Sequence, residues 1–429
     1  MHIAFVTPQM IIGGAETYII TKSRWLISHG HTVTVVSGGG ENVVNLPEGA
    51  EHVEFMTEVS PASFTRRGYK EYLHELSEIL TSRNIEVIEV HNTTPIIHIA
   101  ASYDEHRIPF LVNVLNELTF KYNFVVRHIV KQIAPYKLFY TLTEGMWTYS
   151  SQKTGKKLDC NIIPIPVDAV PPNEDETGGD YVLSVCRMEA DKMYIKHLIE
   201  AFGKLMLAGR LPDHYHLHVV GNGSLFHEVE SVAQKVNRRV AREVVVMFGT
   251  LTGEKLWKQY RNAKLYVGTG TTLLLAASCG KAALIPGYTF GSMPYAWGVW
   301  GERPTDTEVL ASTERQGLKR ENYAEIIYEL LIGDPQRTIR AGSNAKKIFD
   351  SYYATEPIMS RWEKEYAATM EIFSHDGEQI ARQVRVSSLL RYIYKMLYTL
   401  RNTIKRGDWQ INHITIKKNN RMKSIWISF

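Results

Sequence analysis

Residues 1–37, MHIAFVTPQMIIGGAETYIITKSRWLISHGHTVTVVS, hold one complete strand, turn, helix and strand. His2–Thr7 is short and apolar, as a parallel strand buried on both faces must be. Glu16–Ser28 follows with helical period, and Thr32–Ser37 is a second β-rich run. Between them stand Gly13 and Gly14, which let backbone amides approach a phosphate or a sugar, while the helix that opens at Glu16 favours negative charge at its start. Taken alone, the same turn also suits a plain strand-to-helix connection without a ligand.

The alternation continues outward from this unit. Val53–Met56, Glu86–His91, Phe110–Leu115 and Leu138–Leu142 read as further strands, and Tyr69–Leu80 reads as an amphipathic helix. Residues 1–168 are therefore expected to form one α/β domain around a parallel sheet. Residues 169–180, AVPPNEDETGGD, lack apolar periodicity and read as a linker. The pattern then restarts with strands at Tyr181–Cys186, His216–Val220, Val244–Phe248, Lys264–Val267 and Ala282–Ile285. Helices are expected between them at Ile195–Leu207, Leu225–Val236, Glu254–Asn262 and Thr271–Cys279. A second α/β domain is expected over 181–345, with helices at 346–375 packing back toward the first domain and a basic tail at 376–429.

Composition narrows the class. With 429 residues, 44% hydrophobic and 22% charged, the chain is long enough for two full cores and far from the signature of disorder. Cys160, Cys186 and Cys279 are scattered without CxxC or Cys/His spacing, so neither a disulfide framework nor a metal site is expected. No signal peptide or run of 18 apolar residues is present, which makes a cytoplasmic protein the expectation. The net charge of +4 conceals an asymmetry. Residues 376–429 carry 11 Lys/Arg against 3 Asp/Glu, leaving 38 against 42 in the body, so a nucleic-acid-binding body is not indicated.

IGGAETYIITKSRWLISHGHTVTVVSG resembles the opening of family 4 glycosyltransferases, in which a Gly-Gly-Ala-Glu loop precedes a helix ending in Gly-His, here Gly30-His31. VLSVCRMEADK, residues 182–192, resembles the segment of that family that holds the donor diphosphate, with Arg187 and Lys192 as its two cations. HVVGNG, residues 218–223, and VMFG, residues 246–249, resemble its next two strand-to-loop steps, which implies that Gly221 and Gly249 line the nucleotide side. The resemblance implies the GT-B architecture, two Rossmann-like domains facing across a cleft, to which the sequence itself adds a C-terminal helical basic tail. It also implies transfer of a sugar from a nucleotide-sugar donor with retention at the anomeric carbon. No metal and no cofactor are implied, the nucleotide-sugar being a co-substrate. Fixed cations suit that chemistry because a departing nucleoside diphosphate gathers negative charge as the glycosidic bond breaks.

The sequence also departs from the family. The positions of its two glutamates fall on Val267 and Leu275, and no Asp or Glu occurs between Glu254 and Glu302. Gly268-Thr269-Gly270 resembles the turn of relatives that lack the first glutamate. Thr271 and Thr272, at the start of the following helix, offer hydroxyls and amides to a phosphate. Asn116 stands where the family often has a histidine, which leaves His91, in His91-Asn92-Thr93-Thr94, as the expected cleft histidine. Glu117 and Glu144 also follow expected strands. The expected site thus comprises Arg187, Lys192 and His91, with Gly13, Gly14, Glu16, Gly221, Gly249, Gly268, Gly270, Thr271 and Thr272 around the donor.

Leu389–Ile404 places Leu389, Leu390, Ile393, Met396, Leu397, Leu400 and Ile404 on one helical arc, with Arg391, Lys395, Arg401 and Lys405 opposite. Such a helix suits an anionic membrane surface, so residues 382–429 are expected to hold the protein peripherally on the inner face of a membrane, near a glycan or lipid-linked acceptor. A rival expectation is a catalytically silent binding or scaffold subunit, motivated by the missing carboxylates.

Overall fold

The computed structural model describes residues 1–11, 13–115, 124–173, 178–287, 295–302, 309, 320–385, 414–418 and 421–425. The chain divides into two compact units, Met1–Ile165 with Met359–Phe429, and Pro166–Ile358.

The first unit holds strands β1 (His2–Val6), β2 (Thr32–Ser37), β3 (Ala50–Glu54), β4 (Val87–His91), β5 (Phe110–Val114), β6 (Phe139–Thr141) and β7 (Asn161–Ile162). They form one sheet in the order β3-β2-β1-β4-β5-β6-β7, with every neighbouring pair parallel. This doubly wound order reverses between β1 and β4, and in such sheets ligands bind beyond the carboxyl ends of the strands at the reversal. Around the sheet run α1 (Gly14–Ser28), α2 (Arg66–Thr81), α3 (Thr93–His106), α4 (Phe124–Ile133) and α5 (Glu144–Thr154). Ala4, Val6, Ile88, Val90, Val112 and Ile129 are fully enclosed in its core. The valine and isoleucine side chains contribute about 1.5–3 kcal/mol each when buried.

The second unit repeats the plan with β8 (Tyr181–Val185), α6 (Tyr194–Leu207), β9 (His216–Val220), α7 (Phe226–Val240), β10 (Val245–Met247), α8 (Gly253–Asn262), β11 (Leu265–Val267), α9 (Thr271–Ser278) and β12 (Ala282–Pro286). Two further strands, β13 (Tyr295–Trp300) and β14 (Glu321–Asn322), complete a sheet of order β10-β9-β8-β11-β12-β13-β14. β8 to β12 are parallel and the last two strands antiparallel. Its reversal lies between β8 and β11. Helices α10 (Tyr323–Tyr328) and α11 (Pro335–Ile348) close the unit.

Several expectations shift. The third strand is Ala50–Glu54 rather than Val53–Met56, because an edge strand buries only part of its surface and Glu51 and His52 break the apolar run. The helix Thr93–His106 was not legible, since it is covered on nearly every side and shows no amphipathic period. The stretch read as a linker is partly packed: the Val170 amide donates to Ser278 Oγ at 3.1 Å, Val167 bridges to Ala354, and Pro166 already belongs to the second unit. Helix α12 (Thr355–Val384) is a single rod of 30 residues, about 45 Å long. It buries Phe373, Ile380, Ala381 and Val384 in the first unit's core, so no boundary falls at 375.

Beyond it, Ile414–Lys418 and Arg421–Ile425 pair as antiparallel strands β15 and β16. The tail, expected to be helical, thus contains a hairpin in its last part. Two-residue alternation over β-branched positions suits a hairpin, and only Asn419 and Asn420 lie between the strands. The amphipathic stretch Leu389–Ile404 lies outside the described residues.

Candidate functional site

In the second domain the loop after β8 runs from Cys186 to Lys192 beside the loop after β9. Backbone bonds continue between them past the strand ends: Cys186 N–H to Val220 O at 3.0 Å, Met188 N–H to Asn222 O at 2.9 Å, and Leu225 N–H to Met188 O at 3.0 Å. The approach is so close that a side chain at Gly221 would strike the Cys186 carbonyl, and one at Gly223 the Met188 backbone. Gly221 also has φ +132°, which L side chains rarely adopt. Its N–H donates to Gly249 O at 2.7 Å, tying in the loop after β10. Gly221 and Gly249 thus hold three loops together at one sheet edge.

Arg187 and Lys192 sit on this platform. Arg187 is exposed, and its guanidinium makes no hydrogen bond or ion pair among the described residues. Lys192 is half-buried at the end of a 3-10 turn, Ala190–Lys192. Between them, Glu189 accepts from the Ser224 amide at 3.0 Å and from Ser224 Oγ at 2.6 Å, which fastens the cation loop to the Gly-x-Gly loop.

β11 lies beside β8, so the turn that follows it adjoins the same edge. Gly268 donates to Leu284 O at 3.1 Å and leaves no room for a side chain against the Tyr266 ring. Gly270, at φ +68°, caps α9 and donates to Val309 O at 2.7 Å. The first-turn amides of α9, at Thr271 and Thr272, start a helix that favours an anion there. The Thr272 hydroxyl, expected to meet a phosphate, is instead committed inside the domain: it accepts from Tyr266 Oη at 2.7 Å and donates to Thr269 O at 3.0 Å. Val267 is fully buried in β11 and Leu275 is half-buried in α9. The loops that follow the adjacent strands β8 and β11, at the reversal of this sheet, thus carry Arg187, Lys192 and the N-terminus of α9.

In the first domain, Gly13 caps α1 in an extended conformation, and Thr17 Oγ1 donates back to Gly13 O at 2.9 Å. The Glu16 carboxylate folds over Gly13 so closely that a side chain at 13 would collide with it. A carboxylate thus already lies over the positive start of this helix. Gly14 is exposed with open space around its Cα.

His91 requires correction. It was expected to face ligand, but it is fully enclosed, with Nε2 2.8 Å from Glu89 Oε1 and its ring against Phe5 and Tyr18. Its partner is the hub of a buried network that the sequence reading did not single out. Glu89 accepts from Lys22 Nζ at 2.5 Å, Tyr18 Oη at 3.1 Å, Asn113 Nδ2 at 2.8 Å, His91 and Tyr366 Oη. Lys22 Nζ also lies over the Trp362 ring at 3.4 Å and within 5.5 Å of the Phe5, Tyr18 and Tyr366 rings. Burial pulls the Lys22 ammonium down to about 7, partly countered by Glu89. Burial alone would push Glu89 up, yet Lys22 and the converging donors hold its carboxyl well below the usual carboxylate range. A signal was available: Lys22 falls on the apolar face of α1 with Tyr18, Ile19 and Leu26, and Glu89 interrupts the apolar run Val87, Ile88 and Val90.

Glu144 opens α5 behind Thr143, whose hydroxyl caps that helix. Asn116 and Glu117 lie outside the described residues. Among the described residues no cluster of His, Cys, Asp or Glu could hold a metal ion, and no helix is long and apolar enough to cross a membrane.

Residues 12–114 match the profile of Glycosyltransferase Family 4. Among solved structures, a glycosyltransferase from Rickettsia africae aligns at TM-score 0.65 and 14% identity, over 87% of this chain and 99% of that one. Anabaena HepE in complex with UDP-glucose aligns at TM-score 0.61 and 15% identity, over 86% and 100%. WaaG, a glycosyltransferase involved in lipopolysaccharide biosynthesis, aligns at TM-score 0.51 and 16% identity, over 83% and 98%. At these identities the likeness is one of fold. No curated protein sequence matches the chain.

Proposed function

From a chain that belongs with the family 4 glycosyltransferases through residues 12–114 and has the GT-B fold, we propose transfer of a sugar from a nucleotide-sugar to a glycan or lipid-linked acceptor, with retention and without a metal. This reading is supported by the placement of Arg187, Lys192 and the α9 N-terminus on loops that follow the adjacent strands β8 and β11, at the reversal of the second sheet. A diphosphate placed there has its charge matched by a guanidinium fork, an ammonium and helix amides, each of which strengthens as the leaving group gains charge. Retention asks less of a protein base than inversion does, because the leaving phosphate itself can take up the acceptor proton, which accommodates Val267 and Leu275. The open Gly13–Gly14 turn under Glu16 suits the acceptor's hydroxyls. A UDP-sugar is the donor to try first, since HepE was crystallised with UDP-glucose.

The test is calorimetric titration with UDP and with UDP-sugars, followed by assay of donor hydrolysis and transfer. Arg187→Ala removes a charge-assisted contact of about 1.5–3 kcal/mol and is expected to weaken diphosphate binding roughly 10- to 150-fold without lowering the melting temperature. Unchanged affinity would remove the basis of the assignment. A silent binding subunit is the second reading, favoured by the apolar residues at 267 and 275; it predicts tight nucleotide binding without turnover on any acceptor.

A further inference from the structure

The buried network around Glu89 is costly to maintain. A lysine and a glutamate are held 2.5 Å apart at zero exposure, and a pair so placed is commonly no more stabilising than well-packed apolar residues of the same volume. Stability therefore does not account for it, whereas geometry does. Tyr18 and Lys22 lie one turn apart on α1, linked Nζ to Oη at 2.9 Å, and Tyr18 is one turn, about 6 Å, along from Gly14. The cap of α1 is a glycine with no side-chain hydrogen bond, and the bond from Thr17 Oγ1 to Gly13 O stays within the helix, so neither ties α1 to the sheet. Apolar contacts would allow the helix to slide; convergent hydrogen bonds on one carboxylate do not. Asn113, on β5, donates to both Glu89 and Tyr18 Oη, the latter at 2.7 Å. His91 joins from the end of β4, one residue before Asn92 enters α3 at φ +63°. Tyr366 and Trp362 close the cage from α12.

We propose that Glu89 is the positioning residue of the acceptor-side turn, fixing the depth and direction of α1, and with it Gly13, Gly14 and Glu16, against the ends of β4 and β5. This rests on the reading of that turn as facing the acceptor. Glu89 touches no substrate; it acts through Tyr18 and Lys22.

The experiment compares wild type, Glu89→Gln, Lys22→Met and the paired variant K22M/E89Q, which removes both charges and leaves neither partner ionised alone. Amide hydrogen exchange is followed at residues 13–18 and 91–96, with 186–192 and 221–225 as reference. UDP affinity and acceptor KM are measured on the same preparations. The paired variant is expected to exchange at least 10-fold faster at 13–18, with the reference loops unchanged. Its acceptor KM is expected to rise at least 10-fold at constant UDP affinity, a split that a general loss of stability would not give. Wild-type exchange at 13–18 in a folded paired variant overturns the proposal. Faster exchange there in a protein whose wild type transfers no sugar supports the positioning role and removes the transferase reading instead.

Discussion

Separating Lys22 from Glu89 should produce two variants whose stabilities respond to pH in opposite directions. Both groups are fully buried and 2.5 Å apart, so whichever is left alone must shed its charge in the folded state. In Glu89→Gln, Lys22 has to be neutral when folded and charged when unfolded, which costs about 1.36 kcal/mol per pH unit below its unfolded pKa near 10.4, or about 4.6 kcal/mol at pH 7. The unfolded state then binds more protons than the folded one, so stability rises with pH, and the cost at pH 9.5 is only about 1.2 kcal/mol. In Lys22→Met the lone Glu89 must be protonated when folded, at about 3.7 kcal/mol at pH 7, and here stability rises as pH falls toward about 4.3. In the paired variant both slopes disappear. Opening free energies of the Ile88–Val90 amides, measured by hydrogen exchange between pH 6 and 9.5, report this domain without requiring the whole chain to unfold in one step. Equal pH slopes in the two single variants, or single costs below about 1 kcal/mol, would show that the pair is not the buried ionic contact described.

Gly221→Ala should destabilise the second domain by several kcal/mol, because the new methyl meets the Cys186 carbonyl at a φ that L residues avoid; a melting temperature within about 2 °C of wild type would contradict the close loop approach. Thr272→Val removes two internal hydrogen bonds, so it should cost about 1–2 kcal/mol in thermal stability while leaving UDP affinity within about twofold; a tenfold loss of affinity would return that hydroxyl to the phosphate. Ending the chain after Arg385 should preserve the fold and reduce sedimentation with anionic vesicles, whereas ending it at 375 should destabilise the first domain by removing Ile380, Ala381 and Val384 from its core. Equal melting temperatures for the two truncations would refute that packing, and undiminished vesicle binding after Arg385 would refute the membrane role of the tail.

Local chemistry by itself determined a good deal of this protein. The strand and helix alternation from His2 to Ser37 and from Tyr181 to Pro286 is written in apolar runs and glycine turns, because a buried parallel strand and the helix that covers it each impose a pattern within a few residues. That Arg187 and Lys192 share one loop was likewise legible from the sequence. Tertiary structure alone decided what lies between distant residues. Lys22, Glu89, Asn113 and Tyr366, of which Glu89 and Tyr366 alone stand 277 positions apart, meet only because α1, β4, β5 and α12 pack together. That packing turned His91 from an expected ligand contact into an interior hydrogen-bond partner, and it turned the Thr272 hydroxyl inward to Tyr266. A polar side chain announces its chemistry in the sequence, but whether that chemistry is spent on the protein or offered to a ligand depends on its neighbours in space, which one-dimensional spacing does not encode.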